Sequence, residues 1–237
     1  MNQKTAWHER IPLFEEEARF KKLLSLHSLT HRWTDAIAHT SDDSGLRIER
    51  MPSIKLKQNL WLLEKTRLDE VLTAFETLVS DQSIPEFLTE LNETIWLIQI
   101  SALENAFSES KDPSLLLNLL KNVSWDSGKK NAESTWVNLK ITDLNAAYQA
   151  FLETHVDASS GFLRSHVSDH ELTFHWVKSP LQNATLLESP QIDKFCALHQ
   201  EWIHGFFYGL SRNIQVRSEP SERDPYQWID FTLLWTY

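Results

Sequence analysis

The sequence predicts an α+β fold, helices first and a small antiparallel sheet after them, and three observations carry that prediction. Apolar residues recur at helical spacing through the first half of the chain. Alternating runs of strand type begin only after residue 135. Two of those runs are joined by the turn-forming pair Ser168-Asp169, which marks a hairpin. Helices followed by strands indicate α+β rather than a parallel α/β sheet.

The elements follow in order. Residues 12–39 carry Phe20, Leu23, Leu24, Trp33 and Ile37 on a helical stripe, with Glu15, Glu16 and Glu17 where the helix dipole favours anions. Ser41 to Gly45 reads as a loop. A second helix is expected over 57–79, with Leu60, Leu63, Val71, Phe75 and Leu78 on one side. A third begins near Pro85, since proline suits the first helical turn, and its apolar residues surround it enough to predict burial on most sides. Asp112-Pro113 opens a fourth, with Leu115, Leu116, Leu119, Leu120 and Val123 expected inward. Residues 124–134 (SWDSGKKNAES) are polar and aperiodic, so they read as a linker. The expected division is a helical region over 1–123, a linker over 124–134 and an α+β region over 135–237, packed as one unit.

Beyond that linker, Trp136 to Ile141 alternates as a strand, and Asp143 caps a helix carrying Leu144, Ala147, Tyr148, Phe151 and Leu152. The hairpin pairs 161–167 with 171–177. A loop holding Pro180 and Pro190 leads to an amphipathic helix over 191–212, and strands 214–218 and 228–236 end the chain. The expected order of this half is β-α-β-β-α-β-β.

Composition closes several function classes. With only 5 glycines, none nearer to another than Gly205 and Gly209, neither a P-loop nor a dinucleotide fingerprint is present. A net charge of −10 opposes binding to nucleic acid, which depends on phosphate neutralisation by Lys and Arg. The single cysteine, Cys196, excludes an internal disulfide and a cysteine zinc cage, and its apolar neighbours predict a buried thiol. The first residues show no signal-peptide core and no apolar run reaches membrane-spanning length, so a cytoplasmic chain with no membrane partner is expected. No serine or cysteine lies in a nucleophile elbow. A protein with no catalytic activity of its own is therefore expected.

Two constellations remain. His27 and His31 stand one helical turn apart, and His175, His199 and His204 with Glu201 form a denser group suited to metal binding or acid–base work near neutral pH. The bland reading of both is separate, individually hydrogen-bonded histidines, and neither a metal nor a cofactor is expected. The second constellation is aromatic: Trp202, Phe206, Phe207 and Tyr208 on one helix, facing Phe174 and Trp176 of the hairpin. Such a seam is either packed core or an apolar small-molecule cavity with polar residues converging on it.

The stretch Phe195 to Leu210 with its Gly205-x-x-x-Gly209, then Ile214 to Glu219 and Trp228 to Trp235, resembles the close of the 4-vinyl reductase domain. That domain shares a fold group with TRAPP tethering subunits and haem-NO-associated domains. His175 to Pro180 is similar to the segment after the first hairpin of amino-thiazoline hydrolase-like proteins, with Ser179 where their cysteine stands. The likeness covers about 135–237; it implies ligand binding and homodimer formation, while the absent cysteines carry over neither a zinc nor a hydrolase role.

Two functions follow as expectations. One is a module binding a small aromatic or lipid-like molecule, with Phe174, Trp176, Trp202, Phe206, Tyr208, His175, His199 and His204 lining the site. The alternative is an accessory subunit of a catalytic partner protein. That subunit would bind an extended precursor peptide by strand addition along Trp136, Leu139, Ile141, Trp228 and Phe231.

Overall fold

Two aspartates set helix starts in the computed structural model, which describes residues 10–40, 84–136, 141–155, 162–177, 190–223 and 226–236. Asp112 accepts the Leu115 N–H at 3.0 Å and Asp143 accepts that of Ala146 at 2.8 Å, each satisfying a donor that a helix N-terminus leaves open. The helices are α1 (Arg10–Thr40), α2 (Ile84–Glu109), α3 (Pro113–Thr135), α4 (Leu144–Thr154) and α5 (Ile192–Leu210). The strands are β1 (Phe162–Val167), β2 (Glu171–Val177), β3 (Ile214–Arg223) and β4 (Tyr226–Trp235).

The strands form one antiparallel sheet in the order β1-β2-β4-β3. Its inner face alternates as a half-buried sheet should: Leu172, Phe174 and Trp176 on β2 and Ile229, Phe231 and Leu233 on β4 are all buried. Phe174 pairs with Phe231 across the strands and their rings stack 5.1 Å apart. Both sheet edges are blunted. The register of β1 shifts between Arg164 and His166, and β3 carries Pro220, which has no N–H to offer a further strand.

Helix α5 lies between this sheet and α3. One side places Phe206 and Phe207 against Phe151 of α4, with Phe207 also 6.0 Å from Phe174. The other side meets α3 backbone to backbone. A Cβ added to Gly128 would stand 1.9 Å from the Trp202 carbonyl oxygen, and one added to Gly205 would stand 2.0 Å from that of Trp125. Helices α1 and α2 pack outside this pair, and the Trp33 indole donates to Ser124 Oγ at 2.8 Å.

Residues 124–134 are therefore not a linker but the second half of α3. Their buried face consists of Ser124, Ser127, Gly128 and Ala132, so its period is one of size and not of hydrophobicity. Leu115, expected inward, is 66% exposed, and the buried stripe runs through Leu116 and Leu120 instead. Trp136 does not open a strand: its N–H bonds to the Ala132 carbonyl at 2.9 Å and closes α3. Ile141 lies just ahead of α4 outside any strand. Leu139 and the helix expected over 57–79 fall outside the described residues.

Glycine-to-alanine exchange in a helix ordinarily gains up to about 1 kcal/mol. Here the added carbon meets a carbonyl that cannot move without separating two helices. Gly128→Ala and Gly205→Ala are each expected to lose at least about 2 kcal/mol, the range of overpacked cores. Urea midpoints measure it, and a midpoint equal to or above that of the parent protein refutes the close-contact account.

Candidate functional site

The aromatic seam is solid. Phe174, Phe206, Phe207 and Phe231 are fully buried, and Phe151 lies within 5.9 Å of Phe174, Phe206 and Phe207, ring centre to ring centre. Tyr208 leaves this cluster and sits at the α3 side, 5.1 Å from Trp125, with the Lys129 ammonium 5.7 Å from its ring.

The histidines are not brought together. His175 faces away from Phe174 and Trp176, as strand alternation requires, and its Nδ1 lies 2.6 Å from Asp230 Oδ1 on the neighbouring strand. His204 bonds Ser218 Oγ through Nε2 at 3.0 Å, with Glu201 3.8 Å from Nδ1. Burial holds the His204 pKa below its ordinary value, against the raising effect of Glu201. Among the described residues no group of three His, Cys, Asp or Glu side chains could hold a metal ion. His31 is exposed, and the His27 side chain falls outside the described residues. Cys196 is a free, buried thiol.

His199 joins three helices. Its Nε2 meets Gln99 Oε1 of α2 at 3.1 Å, while Gln99 Nε2 donates to Thr30 Oγ1 at 2.9 Å and to the Leu26 carbonyl at 3.2 Å on α1. Because the amide nitrogen is spent on α1, the amide oxygen must accept, so Nε2 of His199 carries a proton. Rings of Phe195, Trp96, Trp33 and Trp176 surround it at 4.5–6.1 Å. Burial accordingly keeps its pKa well below the usual histidine value, with His155 adding to the effect.

Among the described residues, open space lies between α1 and α3. Ser25, Ser28, Leu29 and Arg32 follow an i, i+3, i+4, i+7 stripe on α1. Ser127, Lys130, Asn131 and Ser134 follow the same stripe on α3. The two stripes flank a groove of about 440 Å³ whose lining includes Trp202 of α5. Two hydrogen bonds cross it, Asn131 Nδ2 to Ser25 Oγ and Arg32 Nη1 to Ser127 Oγ, the latter at 3.4 Å. Next to the groove, and sharing Ser25, Leu29 and Trp202 with it, is a chamber of about 20 Å³ reaching His155, His199 and Lys22. The Lys22 ammonium donates to the Leu152 carbonyl at 2.9 Å, serving the last turn of α4. Burial, and then Lys22, lower the His155 pKa to about 3.

Of the expected ligand-site residues, Trp202 alone lines the groove, and His199 reaches only the small chamber. Phe231, expected along an open edge, belongs to central strand β4, as does Trp228. The groove residues were missed because they are polar on both helices. A search for polar or small residues at helical spacing would have found them in 25–32 and in 127–134. No described helix is long and apolar enough to cross a membrane.

No protein-family model matches the chain, and no curated protein does. Among solved structures it is similar to a trafficking protein particle complex subunit 3 from Naegleria fowleri covalently bound to palmitic acid. That match has 13% identity and a TM-score of 0.40, and it covers 64% of this chain and 99% of that one. It is also similar to an oxygen-binding H-NOX domain related to soluble guanylate cyclases, at 12% identity and TM-score 0.34, over 62% and 72% of the two chains. A second H-NOX structure, solved in a study of H-NOX activation, matches at 10% identity and TM-score 0.34, over 59% and 72%. These neighbours fall in the group that residues 135–237 resemble, and no residue role is carried over from them.

The neutral histidines make stability depend on pH. Both fold with depressed pKa values, so below about pH 6.5 the unfolded chain takes up protons that the native one refuses. Stability is full above that pH and falls as the pH drops; His155 alone accounts for up to roughly 5 kcal/mol by pH 3. Urea midpoints at pH 7 and pH 5 should diverge for the parent protein and less so for His155→Phe. Equal divergence in both would show that His155 titrates as an ordinary histidine.

Proposed function

We propose that this protein is a small-molecule-binding module whose site is the α1–α3 groove over Trp202. The observation that carries the reading is the composition of that groove. A 440 Å³ recess falls in the size range of small-molecule pockets, and it combines hydroxyl, amide and cationic side chains with Leu29 and Trp202. The seam first expected to hold the ligand is packed with rings, so ligand binding moves one layer outward, to the far side of α5. Trp202 is the expected site residue common to both readings. The bulged β1 and the Pro220 of β3 oppose strand addition, which leaves the groove as the favoured site over a peptide edge.

Blocking the groove tests this. The native thiol of Cys196 is buried, so a cysteine placed at exposed Ser28 is the reactive one for a maleimide. A fragment library screened by ligand-observed NMR should give hits on unlabelled Ser28→Cys protein that vanish after labelling. Hits that survive labelling place the site elsewhere, and an empty screen removes the binding reading.

A further inference from the structure

The groove differs in charge from the rest of the chain. The protein carries a net −10, yet none of the groove's lining residues is an aspartate or glutamate. Two are cations, Arg32 on one bank and Lys130 on the other. Among the described residues, Arg32 donates to the neutral Ser127 hydroxyl at 3.4 Å, which takes one of the five N–H donors of a guanidinium. Lys130 is exposed and bound to no carboxylate among the described residues. By contrast, neighbouring Lys129 on the same helix reaches Glu133 at 3.9 Å and lies over Trp125 and Tyr208. Arg32 and Lys130 thus line opposite banks of a recess that also includes Ser28 and Ser134 and has no acidic residue in its lining.

Beneath the cations the chemistry changes. Leu29 and Trp202 are buried and apolar, and Trp202 stacks on Phe206 at 5.4 Å with a 17° tilt, so the indole is held in place by the core behind it. A charged rim over an apolar floor matches an amphiphile one ring deep.

Resting on the groove being the binding site, we propose that its ligand is an aryl oxyanion. The carboxylate or phosphate is held between Arg32 and Lys130, and the ring lies toward Leu29 and Trp202. The guanidinium offers paired donors to such a group, Lys130 supplies a second positive charge, and the serine hydroxyls take the remaining lone pairs.

Calorimetric titration decides it with four probes: indole-3-acetate and phenyl phosphate as the anions, indole-3-acetamide and phenol as their neutral counterparts. At least one anion should bind, with Kd rising with salt, while its neutral counterpart binds tenfold or more weaker. Arg32→Gln should weaken the anion about tenfold and Lys130→Gln about threefold, with Arg32→Lys recovering part of the loss. The melting temperatures of the ligand-free variants, compared with the parent, show that each is folded. Preference for carboxylate or for phosphate identifies the oxyanion. Equal binding of anion and neutral probe, or no effect of Arg32→Gln, overturns the oxyanion assignment while the groove stays a binding site. If no probe binds and the maleimide screen is also empty, the groove reading itself falls.

Discussion

Everything on the helical side of this molecule depends on how closely α3 and α5 approach. Gly128 and Gly205 each face a carbonyl of the opposite helix with no room for a single added carbon. Van der Waals attraction is short-ranged, so removing side chains at the crossing lets long stretches of backbone and flanking side chains enter contact. Ala132 extends the same face along α3, where a Cβ added to Gly209 would stand 3.0 Å from that of Ala132. Large apolar residues there would have held the axes apart and opened a void around Trp202.

The crossing also explains why a groove exists where it does. With α3 drawn onto α5 along its small-residue face, its adjacent face, bearing Ser127, Lys130, Asn131 and Ser134, is turned toward α1. The two helices meet there through polar side chains instead of a packed seam, and Trp202 lies between them because it stands one turn before Gly205 and Phe206 on α5. The recess and the close glycine crossing of α3 and α5 thus share a residue: the carbonyl of Trp202 faces Gly128 while its side chain lines the groove.

Legibility in the sequence followed hydrophobic contrast. The caps Asp112 and Asp143, the hairpin and the amphipathic α5 were all readable, because turn chemistry and apolar periodicity are local signals. Residues 124–134 defeated the same reasoning: their inward residues are serine, glycine and alanine, which a hydrophobicity pattern scores as solvent-facing. Phe174, Phe206 and Phe207 could be read from the sequence as apolar residues of facing elements, whereas Tyr208 turns to α3, and neither spacing nor composition distinguishes a filled seam from a cavity. That difference is set by how Phe151 from α4 inserts among Phe174, Phe206 and Phe207, a contact between distant parts of the chain. The groove was invisible for a further reason: its two banks lie about a hundred residues apart.

The Gln99 amide has a direction that cannot be reversed. Turning it over would set its oxygen against the Leu26 carbonyl and its nitrogen against a protonated Nε2, so α1 dictates through one amide which nitrogen of His199 holds the proton. The position of the first helix is thereby written into the electronic state of a ring on the last one. Imidazole nitrogen resonances, which separate the two tautomers widely, turn His199 into an internal gauge of whether α1 is seated. Uniform 15N enrichment suffices, with no engineered probe, to read it.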